Sequence, residues 1–180
     1  MPKYGKLAGQ ALHLLMNGFL FGFVKGKHER RKLIEEGEEI WHSMDHKSLN
    51  QVLSRFLLSG YVAKEVKGNK EIIHITPLGK SRALRYKLNV LEFPRSKRWD
   101  RKWRIILFDI PESKKKIRDA LRKKLKEVGC LEFQKSVFVY PFPCNDEVNF
   151  IINFYNISEC VYYLESPITP DLRLQKHFKL

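Results

Sequence analysis

The sequence predicts an α+β protein of two domains, and three observations carry that reading. Residues 1–91 place three amphipathic helical patterns ahead of a β-hairpin signal and a further helix. Residues 103–165 read as strand, helix, strand, strand, helix, strand. Charge is also uneven. The chain of 180 residues carries a net charge of +14; residues 1–102 hold 21 Lys and Arg against 10 Asp and Glu, and residues 103–180 hold 13 against 10. A length of 180 suits two small domains. A hydrophobic share of 43% with 30% charged residues is that of a globular chain and excludes a disordered one.

The first helix runs from Leu7 to about Phe23, with Leu12, Leu15, Met16, Phe19, Leu20 and Phe23 recurring at threes and fours. Lys3 and Lys6 precede it as in a signal peptide. Gln10, His13 and Asn17 interrupt it, however, and it falls short of about 20 clean apolar residues, so it reads as a core helix and not a membrane span. Glu29 to Trp41 is the second helical pattern. The third runs from about His46 to Ser59, capped by Ser43 or Asp45. Its inner face is Leu49, Val52, Leu53, Phe56 and Leu57, with Lys47, Ser48, Gln51, Ser54 and Arg55 opposite.

Gly60 closes that helix. Tyr61–Val66 and Glu71–Ile75 read as strands joined through Lys67-Gly68-Asn69-Lys70. Thr76 and Pro77 supply a capping hydroxyl and a first-turn proline for a helix reaching about Asn89. Three helices, a hairpin and a trailing helix are the order of a winged helix-turn-helix. Such a module lays its third helix in the major groove of double-stranded DNA. Gln51 and Arg55 have the donors to read base edges there. Lys47, Ser48 and Ser54 suit phosphates. Lys64, Lys67 and Lys70 on the wing, with Arg82 and Arg85 on the next helix, would add sequence-independent attraction. The basic surplus of this half points the same way.

Residues 92–102, EFPRSKRWDRK, read as a basic linker exposed on at least one side, with Trp99 free to pack on either domain; a solvated linker is the default reading and contact with the DNA backbone the alternative. Ile105 to Phe108 is then a short buried strand. Asp109 ends it and Pro111 prevents its continuation. Ser113 is placed to cap a helix from Lys114 to Val128, whose apolar stripe is Ile117, Leu121, Leu125 and Val128, and Gly129 ends it. Cys130–Gln134 and Ser136–Phe142 follow as strands, Asp146–Tyr155 as a short helix and Cys160–Glu165 as the last strand. Residues 166–180, with two prolines, read as an irregular tail.

The run IILFDIPE, the basic helix after it, a glycine and then QKSVFVYP resemble the small dimeric endonuclease of CRISPR adaptation. The preceding RWDRKWR and the upstream domain look more like the phenylacetate-operon repressor (PaaX-like) family. Those repressors couple a winged helix to a domain related to that nuclease. The resemblance implies a ferredoxin-like βαββαβ fold for residues 103–165, and a homodimer formed through it. It also implies a small-molecule effector.

In the nuclease the aspartate that ends the first strand binds metal. The resemblance therefore makes Asp109 the candidate catalytic and metal-ligating residue, sharing one Mg²⁺ between the two chains of a dimer, with Ser113 and Ser136 near the same interface. Oxygen ligands suit such a hard cation. One carboxylate per chain is a thin site, with Glu112 its only acidic neighbour, and a shared fold does not confer a reaction. The alternative role for Asp109 is helix capping or an ion pair.

Glu38, His42 and His46 are spaced by four, but Ser43 and Asp45 break the helix that would align them. Cys130, Cys144 and Cys160 form no CxxC, which fits free thiols in a reducing cytoplasm. Seven Lys and Arg from Lys114 to Lys124 give the central helix a basic face, read as its solvent side. The expectation is a sequence-specific transcriptional regulator that acts as a homodimer. The alternative is a metal-dependent nuclease, or an adaptation-complex scaffold, fused to a DNA-binding module.

Overall fold

The computed structural model describes residues 3–16, 46–67 and 70–180. The chain divides into two compact units, Met1–Val90 and Leu91–Leu180. The second expected helix, Glu29–Trp41, the end of the first helix beyond Met16, and Glu38 and His42 lie outside the described residues.

In the first unit, α1 spans Lys3–Met16 and α2 His46–Leu58. An antiparallel hairpin of β1 (Val62–Lys67) and β2 (Lys70–Ile75) follows, then α3 (Pro77–Val90). The apolar spacing of α1 and α2 puts Ala11, Leu12 and Leu15 against Val52 and Phe56, with Val62 of β1 and Ala83 of α3 completing the core. Gly9 lets α1 approach α3 closely, because a Cβ there would fall inside the ring of Tyr86. Gly60, at φ +69°, closes α2 with paired bonds from its own amide to Leu57 O and from Tyr61 N to Phe56 O. The Phe56 and Tyr61 rings pack edge to face at 5.9 Å over that turn, the apolar contact that accompanies such a stop. Thr76 caps α3 as the sequence predicts, its Oγ1 accepting from Gly79 N at 3.1 Å.

The second unit holds β3 (Trp103–Phe108), α4 (Lys115–Glu127), β4 (Leu131–Gln134), β5 (Val137–Tyr140), α5 (Asn145–Tyr155) and β6 (Val161–Ser166). The four strands form one antiparallel sheet in the order β4-β5-β3-β6. The two central strands are thus the first and third of the unit, with the second and fourth at the edges. Alternation sends Ile106, Phe108 and Phe138 to one face. All three are buried, as are Leu121 and Leu125 of α4 and Val148 and Ile151 of α5, which supply the apolar surface to cover them.

The opposite face is covered in part by the C-terminal segment. The segment expected to be irregular forms α6 (Leu172–Phe178). Leu174 and Phe178 pack there with Trp103, Val139 and Ile105, and Trp103 Nε1 donates to Asp171 at 3.1 Å. Tyr162 and Leu164 on the same face remain 56% and 50% exposed.

One further expectation is corrected. Ser113 does not cap α4: it lies in a 3₁₀ turn, Glu112–Lys114, and the residue before the helix is Lys114, with no side-chain cap. Pro111 begins that turn and accepts from Lys114 N at 2.9 Å, and the helix starts at Lys115, one residue later than a serine cap would set it. Residues 92–102 are exposed except at Phe93 and Trp99. Phe93 is buried and packs edge to face on Tyr140, whose hydroxyl donates to Pro94 O. Trp99 stacks on Trp103 with ring centres 4.7 Å apart.

The most demanding contact in this unit is Arg104 on β3, only 2% exposed. Its guanidinium grips both oxygens of Asp100 at 2.6 and 2.7 Å and donates to Lys102 O and Pro141 O. The hydrogen bond from Arg104 holds the Asp100 carboxyl at about 2. A folded-state value below the unfolded one of about 3.9 stabilises the fold above that pH and stops doing so as pH falls toward 2. Asp100→Ala leaves the buried guanidinium with Glu165, 3.6 Å from Nε, as its remaining carboxylate, so we expect a loss of about 2 kcal/mol in urea unfolding. Asp100→Asn should flatten the acid limb of stability between about pH 4 and pH 2; an unchanged limb would assign it to other carboxylates.

Candidate nucleic-acid interface

Amphipathic spacing turns Val52 and Phe56 of α2 inward and leaves Gln51, Ser54 and Arg55 exposed. These three, with Leu58, line one open surface groove of about 480 Å³. Leu58 is 89% exposed, an apolar residue among the polar ones that the sequence reading did not single out. The signal was there: Leu58 follows Ser54 by four and falls on the polar side of the helix.

Lys47 and Ser48 occupy the first turn of α2 by backbone, and Lys67 and Lys70 are register partners at the end of the hairpin where β1 passes to β2. The side chains of these four lie outside the described residues. Lys64 is exposed on β1. Arg82 and Arg85 are exposed on α3 at a spacing of three, which gives them one helix face. The structure therefore brings Gln51, Ser54 and Arg55 together at one groove, and leaves the α3 arginines out of that lining.

In the second unit Asp109 is exposed at the end of β3, its amide donating to Cys160 O at 2.9 Å. Next to it Phe108 N donates to Ser136 O at 3.0 Å, so the QKSVF turn does reach this strand end. Glu112 does not stand ready beside Asp109 as a second ligand. Arg118 holds it at 2.8 Å and Lys115 lies 3.7 Å away. Among the described residues no group of three His, Cys, Asp or Glu could hold a metal ion. Around Asp109 the described residues of one chain do not form a Mg²⁺ site. The three cysteines are free, and burial pushes the Cys130 and Cys144 thiols well above their usual range.

The basic face of α4 is not the free solvent surface that its composition implies. Arg118 pairs with Glu112, Arg122 and Lys126 both pair with Glu132 of β4, and Lys123 lies near Glu127. Lys124 is buried, its ammonium 3.5 Å from Leu91 O and 3.9 Å from Glu127. Burial pushes this ammonium below its ordinary value, and Glu127 opposes that only in part.

A basic α+β domain with a four-stranded antiparallel sheet, and an aspartate at the end of its first strand, is the class of protein this unit defines. Residues 96–176 match the family model described as PaaX protein central Cas2-like domain. Over these residues the chain is similar to the central Cas2-like domain of PaaX proteins. Among solved structures, the uncharacterized protein Rv0674 from Mycobacterium tuberculosis aligns over 95% of this chain at 15% identity, with a TM-score of 0.38. The alignment covers 66% of that protein, so the chain spans just under two thirds of its length. No curated protein matches the chain. No helix among the described residues is long and apolar enough to cross a membrane.

Because Lys124 is charged and buried against one carbonyl and a loosely held carboxylate, Lys124→Met should raise stability by roughly 1–2 kcal/mol at pH 7. Urea unfolding measures this, and a loss of stability would show that the Leu91 contact outweighs the desolvation.

Proposed function

We propose that the chain is a sequence-specific DNA-binding regulator of transcription, acting in the cytoplasm as a homodimer. The observation that carries this reading is the α2 groove: Gln51, Ser54 and Arg55 stand exposed together on the helix that leads into a β-hairpin. That arrangement lies in the half of the chain with the large basic surplus, and the other half is a PaaX-like domain.

On this reading residues 1–91 are a winged helix-turn-helix. Its α2 enters the major groove, where Arg55 and Gln51 offer donors to guanine and adenine edges and Leu58 an apolar contact to thymine methyls. Ser54, Lys47 and Ser48 would meet phosphates, as would Lys64, Lys67 and Lys70 of the wing and Arg82 and Arg85 of α3. Residues 103–165 would be the ferredoxin-like dimerisation domain. The exposed Tyr162 and Leu164 on its sheet are the kind of surface that a second copy would bury, and a symmetric pair of winged helices would read two half-sites. A small-molecule effector would bias that dimer between bound and released forms.

Arg55→Ala is expected to weaken binding to the cognate upstream fragment by about 1–3 kcal/mol, and binding to random duplex far less. Gel-shift or anisotropy titration at near-physiological salt measures both. Equal losses on the two would remove Arg55 as a base reader.

A metal-dependent nuclease is the second reading, favoured by one observation: Asp109 is exposed at the end of β3, where a partner's carboxylate could approach it. Asp109→Asn should abolish any Mg²⁺-dependent cleavage of duplex DNA while sedimentation shows the oligomer intact. Cleavage that survives the substitution would take Asp109 out of the chemistry.

A further inference from the structure

We infer that the loop of residues 95–102 is a preformed clamp for the phosphate backbone of duplex DNA, separate from the winged-helix contacts. The inference deepens the DNA-binding reading and rests on it. The loop, RSKRWDRK, exposes Arg95, Lys97, Arg98, Arg101 and Lys102 within eight residues. Its one carboxylate, Asp100, is taken by the buried Arg104. None of the five cations is ion-paired with a carboxylate among the described residues. On α4, by contrast, the fold answers Arg118, Arg122 and Lys126 with Glu112 and Glu132. The loop's charge is therefore left for an outside partner.

The loop is also held in shape. Lys102 N donates to Asp100 Oδ1 at 3.1 Å, Trp99 Nε1 donates to Lys102 O at 3.0 Å, and Trp99 is stacked on Trp103. Between these ties Arg101 adopts φ +62°, a left-handed conformation that costs energy for a residue with a Cβ. A glycine would adopt it without strain; here the strained position carries a guanidinium. The basic surface continues beyond the loop, since Arg95 shares a cavity with His177 and Lys179 whose lining contains no carboxylate. A dense array of cations, held in shape and without a carboxylate partner among the described residues, matches regularly spaced phosphates, which are bound by charge and not by sequence.

The test uses the full chain and a random 30-base-pair duplex, titrated by anisotropy across roughly 50–200 mM salt. Each phosphate contact contributes about 0.9 to the slope of log affinity against log salt. The triple variant Lys97→Ala, Arg98→Ala, Arg101→Ala should reduce the slope by about 2–3 and weaken binding at least tenfold at the lowest salt, with an unchanged circular dichroism spectrum. Arg101→Gly should reduce the slope by about 1 without lowering the melting temperature, which separates lost charge from lost structure.

An unchanged slope in the triple variant overturns the clamp. So does failure of the wild-type chain to bind the duplex. Retained duplex binding, with lost binding to phosphatidylserine vesicles, overturns it in favour of an anionic membrane surface. The winged-helix reading fails separately: Arg55→Ala would then leave binding to the cognate fragment unchanged, and Lys64→Ala binding to the random duplex, while the loop variant still lowered the slope.

Discussion

The second unit depends on one buried charge. Arg104 sits in a central strand, almost wholly removed from water, where an unanswered guanidinium would be prohibitively costly. The chain answers it from three directions: Asp100 with both oxygens, Lys102 and Pro141 with carbonyls, and Glu165 on the neighbouring strand, 3.6 Å from Nε. These groups come from the loop before β3, the segment after β5 and the end of β6. One side chain thus fixes where the unit begins, how its central strands end, and where the edge strand stops. The packing of Trp99 on Trp103 and of Phe178 on Trp103 lies on the same strand end and closes it with apolar surface.

Most of this architecture was legible in residue pattern, for reasons that can be named. Short apolar runs flanked by proline and glycine announced β3 and β5. The left-handed stops at Gly60 and Gly129 announced the ends of α2 and α4, because local backbone chemistry decides them without help from distant residues. The errors fell where distant contacts decide. Residues 92–102 are mostly exposed, as their composition suggests, and what composition does not show is that Phe93 and Trp99 anchor them. The prolines at 167 and 170 suggested an irregular tail, while Leu174 and Phe178 found an open sheet face to cover. Lys124 reads as one more cation on a solvent face and is buried instead.

The candidate site was legible to a different degree. The division of α2 into an inner apolar and an outer polar face follows from periodicity alone, so Gln51, Ser54 and Arg55 could be named before any fold was known. Leu58 was not singled out, although its spacing of four from Ser54 puts it on that same outer face. Asp109 was placed correctly at its strand end, but the state of Glu112 was not readable, since its engagement by Arg118 spans a 3₁₀ turn that replaced the expected cap.

Charge is the property on which sequence and structure must be weighed together. A count of lysines and arginines gives α4 the strongest claim to be a polyanion surface. The structure withdraws most of that claim, since Glu132 alone answers Arg122 and Lys126, and these pairs lower its carboxyl below the ordinary range. Fewer cations lie in residues 95–102, but the fold uses up their only acid internally and holds the backbone in a strained turn. What distinguishes a binding surface from a soluble one is thus not how many charges a segment has. It is how many the rest of the molecule leaves unanswered, and how rigidly it holds them.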